Sequence, residues 1–145
     1  MAPRLICSEG PPIMTIPLLK PLIVKPDDKV SDVAKEMKKR DISIALVLDS
    51  EGKLIGTLSD RDIVTKIVAE EKPLDTPVSE ALNRDPLKGR PTWSLAKALE
   101  AMAAIGARHM VVLDDDGKPI GVLNIKDLVR HIIEDVDVQE LVPAE

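Results

Sequence analysis

The chain is predicted to be an α+β protein built from two tandem β-α-β-β-α units, and three features of the sequence predict it. Residues 21–68 recur without a gap 65 positions later, at residues 86–133, with 15 of 48 positions identical. Chance at this composition would give about three or four, so the match is an internal repeat. Apolar residues recur at i, i+3, i+4 and i+7 once in each copy, as one face of a helix does. Short, wholly apolar runs then flank a Gly-containing turn in each copy, as a β-hairpin requires. A single copy would struggle to bury a core, whereas two related by a pseudo-twofold can share one.

Each repeat opens with a short apolar strand held between prolines, Leu22-Ile23-Val24 before Pro26 and the poorer Leu87-Lys88-Gly89 before Pro91. The helix that follows carries its apolar face on Val30, Val33, Ala34 and Met37, repeated by Leu95, Ala98, Leu99 and Met102. Strands are predicted at Ile44–Leu48 and Met110–Leu113, followed by the turns "DSEGK" and "DDDGK". Their hairpin partners are Leu54–Leu58 and Ile120–Leu123. A closing helix begins near Asp60 and Ile125, with Ile63, Val64, Ile67 and Val68 matched by Leu128, Val129, Ile132 and Ile133. Residues 69–85, with Pro73 and Pro77, connect the copies. Unit boundaries are placed at residues 13–71 and 77–135, with 72–76 as linker.

Composition narrows the function. There is no Phe or Tyr and one Trp, so the core is aliphatic and a bound base would be held by aliphatic side chains and backbone. Single-stranded nucleic acid, which is usually gripped on aromatic platforms, is disfavoured. The formal charge of −5 resides in the flanks, because residues 21–68 sum to zero and residues 86–133 to +2. An anionic ligand on the repeats is therefore compatible with an acidic chain. The single cysteine, Cys7, allows no internal disulfide and fits a reducing compartment. No run reaches the length of a membrane span, and Pro11, Pro12 and Pro17 interrupt any signal-like apolar segment. The expectation is a cytoplasmic protein without membrane association.

Gly56, Ser59 and Asp62 in "GTLSDRD" recur as Gly121, Asn124 and Asp127 in "GVLNIKD". From spacing alone, Ser59 and Asp62 cap the closing helix and complement its dipole, or they aim a hydroxyl and a carboxylate into a cleft. A fixed carboxylate there could accept hydrogen bonds from hydroxyl groups of a ligand. Arg108 and His109, just before a buried strand, correspond to the uncharged Ser43 and Ile44, so the fold itself does not demand basic residues at these positions. They read as solvated rim residues or as phosphate contacts. His131 corresponds to Lys66 and reads as a surface residue; Trp93 corresponds to Asp28 and reads as a packing or contact residue. No His/Cys spacing suits a metal, and "DDDG" lacks a ligand where a calcium loop would begin. Nothing points to a catalytic set, so no enzyme, metal or catalytic cofactor is expected.

The element order and the G-x-x-Thr/Ser-x-x-Asp pattern resemble the CBS domain family over residues 13–135. The resemblance implies a CBS pair that dimerises and binds adenosine ligands at the pattern residues, with contacts from the opposite unit. It would place Arg108 and His109, with Leu87, Ala107 and Met110 as apolar walls, toward the Ser59–Asp62 site. Ser43 and Ile44, with Leu22, Ile23 and Ile42, would face the Asn124–Asp127 site. The function expected from it is a regulatory sensor of AMP, ADP or ATP that signals to a protein partner. The alternatives are a structural, dimerising module with empty clefts and a sensor of S-adenosylmethionine.

Overall fold

The computed structural model describes residues 12–13 and 16–135. Cys7, Pro11 and the acidic tail beyond residue 135 lie outside them. The elements are β1 (Leu22–Val24), α1 (Val30–Arg40), β2 (Ile44–Leu48), β3 (Leu54–Ser59), α2 (Asp60–Ile63), β4 (Lys88–Gly89), α3 (Leu95–Ile105), β5 (His109–Leu113), β6 (Pro119–Asn124) and α4 (Ile125–Asp135). They form two three-stranded sheets, ordered β1-β2-β3 and β4-β5-β6. The predicted α+β class and the β-α-β-β-α order of each copy are both observed.

The first-repeat unit consists of Lys20–Pro86 with Asp116–Pro119. β1 runs parallel to β2, with Leu22 opposite Ala45 and Val24 opposite Val47, and α1 makes the crossover. β2 and β3 are antiparallel, with a register irregularity between Val47 and Leu48. Their turn closes on Asp49, whose Oδ1 accepts hydrogen bonds from the backbone N–H of Glu51 and Lys53 at 2.8 and 2.9 Å. Gly52 supplies the positive φ of 80° that this turn needs. Val30, Val33 and Met37 of α1 pack with Leu22, Val47, Leu58 and Ile67 into one aliphatic core. Each such side chain contributes about 1.5–3 kcal/mol when fully buried.

The closing helix of this unit differs from the prediction. After one turn of α2 it widens at Val64–Val68, where the Ala69 N–H reaches the Val64 carbonyl at 2.8 Å. Thr65 Oγ1 donates back to the Arg61 carbonyl at 2.8 Å, a contact that competes with helical bonding at this turn. Ile67 is fully buried, while Val64 and Val68 are exposed.

Among the described residues, the second-repeat unit contains Leu87–Asp115 and residues 120–135, together with residues 12–13 and 16–19. β4 is parallel to β5, with Lys88 opposite Val111. Ser94 caps α3 by accepting the Lys97 N–H at 3.1 Å, and Gly106 ends it at φ 65°. The core comprises Leu95, Ala98, Met102, Met110, Val112, Leu123 and Leu128, joined by Ile13 and Ile16. α4 runs without a widened turn.

In both units a chain segment that precedes the other repeat in sequence closes the sheet. Asn83 exchanges backbone hydrogen bonds with Thr57 at 2.7 and 3.0 Å, and Leu19 does the same with Val122 at 3.0 and 3.4 Å. Gly56 and Gly121 stand one residue before these bridges. A β-carbon on Gly56 would collide with the Asn83 carbonyl oxygen and come within 2.6 Å of Leu82 Cδ1; on Gly121 it would come within 2.7 Å of Leu18 Cβ. The glycines of the repeated pattern are thus required by packing, whatever else they do.

Candidate ligand site

The Ser59–Asp62 turn is built where β3 ends and α2 begins. Ser59 is the N-cap, extended at φ −101°, and its Oγ accepts the Asp62 N–H at 3.1 Å. In return Asp62 Oδ2 accepts both the Ser59 N–H and the Ser59 hydroxyl, each at 2.9 Å. This reciprocal box satisfies donors that the helix start leaves open and locks the carboxylate in one orientation. The other oxygen, Oδ1, pairs with Lys66 Nζ at 3.1 Å, with the Asp62 side chain 16% and the Lys66 side chain 41% exposed. The capping arrangement foreseen from spacing is present, and it leaves Oδ1 as the oxygen that can exchange a partner.

The second copy solves the same problem differently. Asn124 Oδ1 accepts the Lys126 N–H at 2.9 Å, two residues on rather than three. Asp127 pairs with Arg130, Oδ1 to Nη1 at 3.6 Å. Replacing the serine hydroxyl by an amide therefore shifts the cap by one residue and leaves Asp127 without the reciprocal box.

The residues ahead of β2 and β5 lie next to these turns through the backbone. The Ser43 carbonyl accepts the Asp60 N–H and the Arg108 carbonyl accepts the Ile125 N–H, both at 2.9 Å. Ser43 thus belongs to the unit of Ser59 and Asp62, and Arg108 and His109 to that of Asn124 and Asp127. Among the apolar candidates, Leu22 and Met110 are core side chains, 5% and 0% exposed. Ile42 packs on one core, and Leu87 and Ala107 on the other, all half-buried. Ile23 is exposed.

Two residues take places that spacing did not indicate. His131 is half-buried and lines a small pocket with Ile16, Pro17, Asp127 and Arg130. Its position four residues after Asp127, on the same helix face, was the available signal. Trp93 packs against the second-repeat core, and the Lys97 ammonium lies 4.4 Å from its ring centroid, an attractive cation–π arrangement. Among the described residues, no group of three His, Cys, Asp or Glu side chains is placed to hold a metal. No helix among them is long and apolar enough to cross a membrane.

The CBS domain profile matches residues 13–69 and 78–134. An uncharacterized 17.7 kDa protein of Acidianus ambivalens is 30% identical over 133 residues, covering 92% of this chain and 80% of that protein. A CBS domain-containing protein of Bacillus subtilis is 30% identical over 105 residues, 72% of this chain and 74% of its own. A CBS domain protein from Pyrobaculum aerophilum, solved in complex with AMP, superposes with a TM-score of 0.78 at 26% identity, covering 86% of this chain and 97% of that one. With both copies matched over most of its length, the chain belongs to the CBS domain family as a tandem pair.

Proposed function

We propose that this protein is a regulatory adenine-nucleotide sensor that binds AMP, ADP or ATP through its pattern carboxylates and passes occupancy to a protein partner. The observation that carries the reading is the Asp62 carboxylate. Two Ser59 hydrogen bonds hold it in place, and among the described residues its Oδ1 is held by the half-exposed Lys66 ammonium. A ribose hydroxyl can share or replace that contact at small cost, because partly exposed ion pairs are worth only about 0–1 kcal/mol. The AMP complex of the Pyrobaculum relative supports the ligand class. Asp127 is proposed as the weaker counterpart, and Arg108 and His109 as phosphate contacts. Signalling requires that the ligand favour one arrangement of the protein over another. No catalytic role is proposed.

Calorimetry of the purified chain should show saturable binding of AMP, and mass spectrometry of material released on denaturation should find an adenine nucleotide. If AMP, ADP and ATP all fail to bind, the sensor reading falls and an assembly module is the better account. S-adenosylmethionine as the released compound would move the reading to that ligand.

We further propose a homodimer that uses α3. Glu36, Lys38, Lys39 and Arg40 of α1 form a solvated face, with Arg40 Nε 3.1 Å from Glu36 Oε2. Their counterparts are Ala101, Ala103, Ala104 and Ile105, and Ile105 is 64% exposed. Ala103→Glu combined with Ala104→Lys should weaken the dimer in light scattering while far-UV circular dichroism stays unchanged. A monomeric native chain, or a double variant that dimerises as well as the native one, would rule out this interface.

A further inference from the structure

An open pocket of about 760 Å³ lies at the start of α3 and shares no lining residue with the Asn124–Asp127 turn. Its walls include Pro12, Trp93, Ser94, Ala96, Lys97 and Glu100. Trp93 is the chain's only aromatic residue, and its backbone is fixed from both sides. Its N–H donates to the Arg90 carbonyl at 3.1 Å, and its carbonyl accepts the Ile13 N–H at 2.8 Å. The ring packs on the second-repeat core beside Gly89, where a β-carbon would come within 3.2 Å of Trp93 Cε3. Lys97 Nζ stands 4.4 Å from the ring centroid, and Glu100 follows it one turn later on the helix. Residues three apart on a helix can reach each other. Yet among the described residues neither the Lys97 ammonium nor the Glu100 carboxylate has an ion-pair partner. Ser94 Oγ accepts the Lys97 N–H at 3.1 Å, which leaves the hydroxyl proton free to donate. The first repeat is built otherwise. Asp28 stands in place of Trp93 and closes its own turn by accepting the Lys25 N–H at 2.8 Å, while Asp32 and Lys35 stand in place of Lys97 and Glu100 with the charges reversed. The repeated fold therefore does not itself demand the side chains of this pocket.

We propose that this pocket binds a free α-amino acid with a bulky apolar side chain. Lys97 and the Ser94 hydroxyl donate to its carboxylate, Glu100 accepts from its ammonium group, and its side chain covers Trp93, Ala96 and Pro12. The choice follows from the walls. A lone anion would meet Glu100 and a lone cation would meet Lys97, whereas a zwitterion satisfies both with charge-assisted hydrogen bonds. The apolar wall calls for a large side chain, because burial is favourable in proportion to the apolar area removed from water. The volume permits one, since small-molecule pockets run from about 300 to 1,000 Å³. The proposal is independent of the nucleotide reading and uses none of its residues.

Trp93 emission tests it directly, because the chain has no other Trp and no Tyr. The probes are L-phenylalanine, glycine, 3-phenylpropionate, which lacks the amino group, and 2-phenylethylamine, which lacks the carboxylate. Each is titrated into the full chain up to about 10 mM, enough to fill most of a site with a dissociation constant of about 1 mM. L-phenylalanine should change the emission saturably, and the other three should bind roughly fivefold or more weakly. Glu100→Gln should weaken L-phenylalanine roughly fivefold or more and leave 3-phenylpropionate no weaker; Lys97→Gln should weaken L-phenylalanine and 3-phenylpropionate and spare 2-phenylethylamine. Both positions are exposed, so neither variant threatens the core. No saturable response to L-phenylalanine overturns the site. So does 3-phenylpropionate binding as tightly as L-phenylalanine, or L-phenylalanine binding unchanged in Glu100→Gln. AMP affinity, measured by calorimetry, should be the same in Glu100→Gln as in the native chain, so loss of this site leaves the sensor reading intact and failure of AMP to bind leaves this site intact.

Discussion

Replacing Gly56 by alanine is expected to lower stability by about 1–3 kcal/mol, the usual cost of forcing a methyl group into a packed site. The added carbon would meet the Asn83 carbonyl oxygen and sit 2.6 Å from Leu82 Cδ1, and the first of these is backbone. Relief requires the chain to retreat, which would break the two hydrogen bonds between Asn83 and Thr57. Gly121→Ala should behave similarly, because its nearest obstacle, Leu18 Cβ at 2.7 Å, moves only with the backbone. Urea denaturation would read both as a lowered midpoint at constant slope. Gly52→Ala is the comparison: nothing lies within 4 Å of its added carbon, so its cost comes from φ +80° alone. A Gly56→Ala protein as stable as the native one would show that Asn83 does not cross β3 there.

Asp62→Ala is expected to weaken AMP binding by roughly ten- to 150-fold, the value of a charge-assisted hydrogen bond of about 1.5–3 kcal/mol. It should also destabilise the fold by about 1 kcal/mol, because the reciprocal cap with Ser59 disappears. The two effects can be separated. Ser59→Ala removes the other half of the box, the bonds of the Ser59 hydroxyl, yet keeps the carboxylate and the Ser59 N–H that bonds it, so its loss of AMP affinity should be distinctly smaller. Asp127→Ala should weaken AMP less than Asp62→Ala, since Asp127 lacks the serine bonds that hold its counterpart in place. Equal losses of AMP affinity in Asp62→Ala and Ser59→Ala, measured by calorimetry, would reduce Asp62 to a helix cap.

Most elements were legible because the patterns that mark them are local. The apolar spacing of Val30, Val33 and Met37 located α1, and the all-apolar run Ile44–Leu48 coincides with β2. Asp49 and Gly52 marked the hairpin by turn chemistry that involves only five residues. The Ser59–Asp62 turn was legible for the same reason, three residues apart at the end of a strand. The repeat multiplied these signals, since a weak strand such as Lys88–Gly89 could be placed from its stronger twin.

The sequence by itself therefore determined the two copies, their element order, the core-facing side of α1 and α3, and the turn that presents Asp62. Tertiary structure decided what depends on partners distant along the chain. Asn83 crosses at Thr57 and Leu19 at Val122, 26 and 103 residues away, and no periodicity records such a meeting. Gly56 and Gly121, which the sequence showed only as members of the repeated pattern, are required by that crossing. The widened turn after Ile63, the choice of Lys66 or Arg130 as partner of each carboxylate, and the place of His131 in a pocket with Ile16 and Pro17 were likewise decided by packing. The physical reason is the same throughout. Spacing along a helix or strand sets which way a side chain faces, but only the folded chain sets what it faces.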